Sequence, residues 1–179
     1  MLKLTKKKKI LLLIDLLLTI LLIAGDRLSK YYAVKGLKDR PAVPLIKGVL
    51  ELNYLENHGA AFGMLQNQKI FLILIAALIL IVICYVLLMI PEDKKYIFIH
   101  LLLSLLSAGA VGNMIDRLQN DYVVDFIYLV IIRFPIFNVA DIYVTVAAFL
   151  LVILFLFYYK EKDFAFLSFG IKKKYREMK

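Results

Sequence analysis

The chain has 179 residues, 63% of them hydrophobic, and a formal net charge of +9. Soluble domains are closer to half apolar, so this composition excludes an ordinary soluble domain and favours an integral membrane protein. The basic residues cluster in "KKKK" at 6–9 and "KKKYREMK" at 172–179 without an aromatic-interleaved basic surface, so no nucleic-acid partner is expected. The single cysteine, Cys84, excludes a disulfide framework and a cysteine-based metal site.

Four segments approach the roughly 20 apolar residues that a membrane-spanning helix needs. The turn "PEDKK" at 91–95 is so short that the second and third helices must form an antiparallel hairpin. Lys and Arg favour the cytoplasmic side and contact anionic lipid, so the ends 1–9 and 160–179 are predicted to be cytoplasmic. The predicted spans are residues 10–30, 70–90, 96–115 and 138–159. We therefore expect a single, mainly α integral membrane domain, acting as a monomer.

Two segments, 31–69 and 116–137, are predicted to lie outside the membrane. In the first, "VPLIKGVLELNYL" at 43–55 combines short apolar runs, local alternation and Pro and Gly punctuation, which is typical of β-strands. A small extracytoplasmic β-sheet is the expected form. The second is predicted to be an outer segment or a short helix.

The stretch "AGAVGNMIDR" at 108–117 places several small and polar residues on one face of the third helix. Gly109, Gly112, Asn113 and Asp116 recur at spacings of three or four residues. One interpretation is close helix packing, with an interhelical hydrogen bond from Asn113. The other is function, because polar residues at membrane depth are functional candidates.

Two carboxylates lie in apolar surroundings near the fourth span. Asn138 in "FNVAD" is a natural N-cap and Asp141 resembles the acid of a capping box, so capping and chemistry both remain open for Asp141. Asp125, in "YVVDFIYLV", has no basic neighbour within several residues. Its carboxyl is therefore predicted to have a raised pKa.

Both acids fall at the same outer membrane level in this topology. Two facing carboxylates in a low-dielectric site cannot both ionise easily, so we expect Asp125 and Asp141 to share one proton. The ionised member would activate water and the neutral member would polarise a carbonyl, without a metal or other cofactor. A small transporter or proton relay is the alternative, although the acids cluster at one interface and no inverted repeat is visible.

Asp15, near the first lysine cluster, is interpreted as structural and neutralised by lysine.

Four motifs in order resemble those of the bacterial lipoprotein signal peptidases, or type II signal peptidases. They are "NHGAAFG" at 57–63, "GNMIDR" at 112–117, "VVDF" at 123–126 and "FNVAD" at 137–141. The resemblance implies an aspartic endopeptidase of the bacterial cytoplasmic membrane, with its active site at the outer surface. It would cut the signal peptide from diacylglyceryl-modified prolipoproteins just before the lipidated cysteine.

Carried over to this chain, the resemblance implies catalytic roles for Asp125 and Asp141. Its supporting or substrate-binding residues are Asn57, Asn113, Asp116, Arg117, Asn138, Asp26 and Lys30. The family usually has Gln after the acid of its first motif, whereas this chain has Arg27. That departure puts the local contacts of Asp26 in question.

The stretch "NHGAAFGMLQNQ" at 57–68 is rich in small residues, including Gly59, Ala60, Ala61 and Gly63. It is either a flexible connector or a path along which an extended substrate passes close to the backbone. The second interpretation adds Gly59 to the substrate-binding residues.

Overall fold

The structure is a computed structural model, and it describes residues 4–60 and 64–167. This part of the chain contains four α-helices: α1 Lys6–Leu37, α2 Lys69–Met89, α3 Ile97–Asn120 and α4 Val139–Phe157. A three-stranded antiparallel sheet has the order β1 Val43–Ile46, β2 Leu50–Asn57, β3 Val123–Leu129. Short 3₁₀ helices cover Lys94–Tyr96, Val130–Ile132 and Glu161–Leu167. The predicted mainly α fold with a small sheet is confirmed.

Three helical segments of the described chain are long and apolar enough to cross a membrane: Lys69–Met89, Lys94–Asn120 and Val139–Phe157. The helix α1 has 32 residues, about 48 Å at ~1.5 Å per residue, which exceeds the ~30 Å hydrocarbon core. Its apolar sequence is nevertheless interrupted by Asp15 and Asp26. A fourth span therefore stays a prediction.

The helix α3 packs against each of the other three helices. Two glycines allow its C-terminal half to approach its neighbours closely. A Cβ at Gly109 would lie 2.5 Å from the carbonyl oxygen of Ala140 on α4. A Cβ at Gly112 would lie 2.6 Å from Oδ2 of Asp26 on α1. The predicted close packing is confirmed, and it brings three helices together beside the sheet.

The sheet packs on the C-terminal end of α1. Its middle strand, β2, pairs with β1 and β3, and Leu55 of β2 is opposite Asp125 of β3. Val124 and Phe126 pack on the last turns of α1 through Ala33 and Leu37. The strands expected around 43–55 are confirmed, and the second outer segment, for which we predicted no strand, supplies β3.

A polar contact joins α1 to α3 further from the sheet. Oδ2 of Asp15 is 2.7 Å from Nδ1 of His100, and both side chains are buried. The nearby Lys8 donates instead to the carbonyl oxygen of Ile90 at 2.5 Å. Asp15 thus has a structural contact, as predicted, but with a histidine and not with the expected lysines.

Candidate active site

Asp125 is the more deeply buried of the two candidate acids, with 1% of its surface exposed. Strand β3 carries it beneath the sheet, where its Oδ1 accepts from Nδ2 of Asn138 at 2.6 Å and its Oδ2 accepts from Nδ2 of Asn57 at 2.8 Å. Burial, followed by the negative charge of Asp141, raises the pKa of Asp125 to about 7. The two amide hydrogen bonds oppose this shift without cancelling it.

Asp141 lies in the first turn of α4, where its carboxylate has two separate contacts. Its Oδ2 accepts from the backbone N–H of Asn138 at 3.1 Å, which completes the predicted capping box. Its Oδ1 accepts from Nδ2 of Asn113 on α3 at 2.8 Å. The cap is therefore confirmed, and it does not exclude chemistry, because the same carboxylate belongs to the polar cluster around Asp125.

Three asparagines donate to the two acids, and the orientation of each amide is fixed by a second contact. Each amide oxygen accepts from a group that can only donate, so each NH₂ group must face away from that donor and toward a carboxylate. These donors are the Gly59 N–H for Asn57 at 2.9 Å, the Asp141 N–H for Asn138 at 3.0 Å and the Lys30 ammonium for Asn113 at 2.9 Å. The hydrogen bonds to both acids are thus preorganised.

Lys30 is a fully enclosed cation at the centre of the supporting network, with 2% of its surface exposed. Besides Asn113, its ammonium contacts Oδ2 of Asp26 and Oδ2 of Asp116, each at 2.9 Å. Asp26 also accepts from the backbone N–H of Ala140 at 2.9 Å. These contacts hold α1 and α3 against the start of α4, where Asp141 lies.

Arg27, at the position where the family that the motifs resemble usually has glutamine, extends this network. Its guanidinium pairs with Asp116 and donates to Oε1 of Gln119 at 3.0 Å. Asp116 also accepts from the backbone N–H of Val124 at 3.2 Å and pairs with the ammonium of Lys30. Arg27 therefore contacts Asp116 on α3 and not Asp26. The contacts of Asp26 are with Lys30 and with the backbone of α4 at Ala140.

Arg117 links α3 to the loop after β2. It donates to the carbonyl oxygen of Gly59 at 2.7 Å and to that of Asn113 at 3.3 Å. A Cβ at Gly59 would lie 2.6 Å from the carbonyl oxygen of Met64, so packing within the loop already requires a glycine there. Ala61 and Gly63 lie outside the described residues. The predicted contact of Arg117 and Gly59 with substrate stays a prediction.

An apolar groove of about 250 Å³ includes Asp141 in its lining. Its lining residues are Leu129, Ile132, Phe134, Phe137, Asp141, Ile142, Thr145 and Val146. Sequence reasoning did not identify the apolar ones, because in "LVIIRFPIF" at 129–137 nothing marks which side chains face a groove. The groove gives an apolar group access to one of the two acids.

The described residues contain no group of three or more His, Cys, Asp or Glu that could hold a metal ion. Metal independence stays a prediction, to be tested with a chelator. The chemistry that the cluster itself can support is proton transfer between two carboxyls held by fixed amide donors.

Comparison with known proteins gives consistent similarities. Residues 18–157 match the family model described as signal peptidase (SPase) II. A lipoprotein signal peptidase of Streptococcus pyogenes serotype M5 (strain Manfredo) is 43% identical over 145 residues, covering 81% of this chain and 92% of that protein. One from serotype M3 (strain ATCC BAA-595 / MGAS315) is 42% identical over the same shares. A bacterial membrane enzyme determined by the in meso method at 1.9 Å resolution has a TM-score of 0.70 and 33% identity, covering 81% of this chain and 94% of that one.

Proposed function

The chain belongs to the signal peptidase II family, and from that premise we propose that it is a membrane-bound aspartic endopeptidase with Asp125 and Asp141 as its catalytic pair. It removes the signal peptide from diacylglyceryl-modified prolipoproteins by cutting just before the lipidated cysteine. One observation carries the aspartic mechanism: Asn138 hydrogen-bonds to both carboxyl-bearing residues and holds them together. The transporter alternative is not favoured, because the relatives are peptidases by name.

The two acids take different roles because their environments differ. Asp125 is buried on a strand and its pKa is raised to about 7, so its carboxyl holds a proton far more readily than that of an exposed aspartate. Asp141 lies in the first turn of α4, where its carboxyl caps the helix and faces the positive end of the helix dipole. Asp141 is therefore the base, and Asp125 is the acid.

Hydrolysis then proceeds in two proton-balanced steps. A water molecule attacks the scissile carbonyl carbon while its proton passes to Asp141 and the proton of Asp125 passes to the carbonyl oxygen. The resulting gem-diol collapses as Asp141 protonates the leaving amine nitrogen, the C–N bond breaks, and a hydroxyl proton returns to Asp125. The pair ends in its starting protonation state, and no other cofactor is consumed.

The remaining network residues position this pair. Lys30 fixes the amide of Asn113, which in turn donates to Asp141. Arg117 ties the loop at Gly59 to α3, next to Asn57 and its hydrogen bond to Asp125. Three side-chain amides and the backbone N–H of Asn138 donate to the two carboxyls and restrain them before substrate arrives. Little reorganisation of these groups is therefore needed during the reaction.

The membrane arrangement follows the same proposal. The helix α1 is the fourth span, the ends 1–9 and 160–179 are cytoplasmic, and the acid pair lies at the outer membrane surface. The groove lined by Asp141 is also lined by Ile142 and Val146 of α4. A substrate that is itself a membrane helix with a lipid anchor can therefore reach the pair from the bilayer. The protein acts as a single-domain monomer.

Purified protein tests this function directly. It is incubated with a lipidated prolipoprotein and, separately, with the unlipidated precursor of the same sequence, and the released signal peptide is measured. We expect a fragment from the lipidated form that ends just before the cysteine, undiminished by a chelator. Equal cutting of both forms would contradict the substrate assignment, and loss of cutting in the chelator would contradict the metal-free mechanism.

A further inference from the structure

A second cavity, of about 220 Å³, borders the acid pair at Asn57. Its lining residues are Leu55, Glu56, Asn57, His58, Gln66, Pro135 and Ile136. None of them belongs to a helix of the described chain, whereas the apolar groove at Asp141 is partly built from α4. Asp141 thus lines an apolar groove beside a candidate membrane span, whereas Asn57, which donates to Asp125, lines a more polar cavity beside the sheet.

Among the described residues that line this second cavity, Glu56 alone is acidic. Its Oε1 accepts from the ammonium of Lys38 at 2.8 Å and from the hydroxyl of Tyr54 at 2.9 Å. The hydrogen bond from Lys38 lowers the pKa of Glu56, so its carboxylate is ionised at neutral pH. A third of the Glu56 side chain remains exposed.

Substrate connectivity assigns the two cavities to opposite sides of the cut. In a prolipoprotein the apolar signal peptide precedes the lipidated cysteine, and the residues after it leave toward water. The carboxyl of Asp125 accepts from Nδ2 of Asn57, and Asn57 is also part of the cavity wall. A chain that crosses the acid pair from the apolar groove therefore enters the cavity beside Asn57.

We propose that this cavity, named here the exit pocket, binds the residue that follows the lipidated cysteine, and that Glu56 makes the pocket discriminate against an acidic side chain. This inference rests on the proposed function. The ionised Glu56 repels a carboxylate and attracts donors such as the Lys ammonium and the Ser hydroxyl. Partly exposed charge pairs are weak, so we expect a discrimination of roughly threefold and not an absolute barrier.

The experiment uses three diacylglyceryl lipopeptides that differ only in having Lys, Ser or Asp directly after the cysteine. The values of kcat/KM are measured for the full-length wild-type protein, and binding of the same peptides is measured with the Asp125→Asn variant, for which turnover is not needed. Wild-type protein should prefer Lys and Ser over Asp roughly threefold, in cleavage and in binding.

Three variants separate the pocket charge from general effects. Glu56→Gln leaves the ammonium of Lys38 without its counter-charge, so it should lower the Lys-to-Asp ratio to one or below. Lys38→Met leaves Glu56 without its counter-charge, so it should increase the ratio. Glu51→Gln, on the same strand but outside the pocket, is the matched control and should leave the ratio unchanged.

The contrary results are distinct. Equal kcat/KM values for the three peptides in wild-type protein, or a Glu56→Gln variant that slows all of them without changing the ratio, would overturn the exit-pocket assignment. A shift of the ratio by Glu51→Gln of the same size would assign the effect to general surface charge and would overturn it equally. Failure to cleave any of the peptides would instead contradict the proposed function. In that case the relative binding of the three peptides to the Asp125→Asn variant would still show whether the exit pocket discriminates against an acidic side chain.

Discussion

Asn138 holds Asp125 and Asp141 through opposite ends of one side-chain amide. Its Nδ2 donates to Oδ1 of Asp125 at 2.6 Å, and its Oδ1 accepts the backbone N–H of Asp141 at 3.0 Å. The residue that begins α4 is therefore also the residue that joins strand β3 to the helix at the candidate catalytic pair. Folding of the α4 N-terminus and assembly of the site are coupled at this position.

Substitutions at Asn138 should separate the cap from the site. Asn138→Ser retains an N-cap oxygen but loses the amide donor, so we expect nearly wild-type thermal stability and a loss of kcat of at least about tenfold. Asn138→Ala loses both functions and should cost a further ~1 kcal/mol of stability. Thermal unfolding and cleavage are measured on the same preparations. Wild-type kcat in Asn138→Ser would show that the amide donor is not required for the reaction.

The pKa of Asp125 predicts a pH-dependent stability. Because the folded state binds this proton more tightly than the unfolded state, the stability contributed by Asp125 is fully present below the ordinary pKa of about 4 and is lost as the pH rises to about 7. The full loss is on the order of 4 kcal/mol at most. Asp125→Asn cannot titrate, so its unfolding temperature should fall less between pH 4 and 7 than that of the wild type. Equal slopes would contradict the raised pKa.

Sequence patterns identified much of the candidate site because local chemistry marks it. The capping box at Asn138 and Asp141 can be predicted from spacing alone, and the strands around 43–55 from alternation and turn residues. Asp125 was conspicuous because an acid in an apolar stretch without a basic neighbour requires an explanation. The ordered motifs then associated the asparagines with the two acids.

Other features depend on tertiary contacts that no local pattern encodes. Strand β3 was missed because the side chains of Val123 to Phe126 are all buried, which removes the alternation that reveals a half-exposed strand. The partner of Asp15, His100, lies 85 positions away on another helix. The sequence analysis explained Gly59 by the passage of substrate close to the backbone. In the structure the carbonyl oxygen of Met64 leaves no space for a Cβ, so packing within the loop is enough to require a glycine there.

Gly109 should be intolerant of even a methyl group. A Cβ there would lie 2.5 Å from the carbonyl oxygen of Ala140 and 2.6 Å from Cγ2 of Val144. Gly109→Ala should therefore destabilise the protein by about 1–3 kcal/mol and reduce cleavage, because α4 must move and Asp141 moves with it. Gly36→Ala is the matched control, with no heavy atom within 4 Å of the new Cβ. Equal unfolding temperatures for the two variants would contradict the close contact of α3 and α4.

Arg117 should require its planar guanidinium. The side chain donates to two carbonyl oxygens, those of Gly59 and Asn113, which a single ammonium on a flexible stem cannot hold in the same geometry. We expect Arg117→Lys to lower kcat/KM by about tenfold, and the exposed substitution Arg40→Lys to leave it unchanged. Full activity in Arg117→Lys would reduce the role of Arg117 to its positive charge.

The two-acid mechanism is tested most directly by single-turnover cleavage of a lipidated prolipoprotein by Asp125→Asn and Asp141→Asn, compared with Asp121→Asn. Asp121 is an acid at the end of α3 whose left-handed backbone also suits asparagine, so it controls for loss of one carboxylate. We expect each catalytic variant to be folded and at least about 100-fold slower than the wild type, and Asp121→Asn to be within about twofold of it. Turnover close to that of the wild type in folded Asp125→Asn or Asp141→Asn would contradict the catalytic pair.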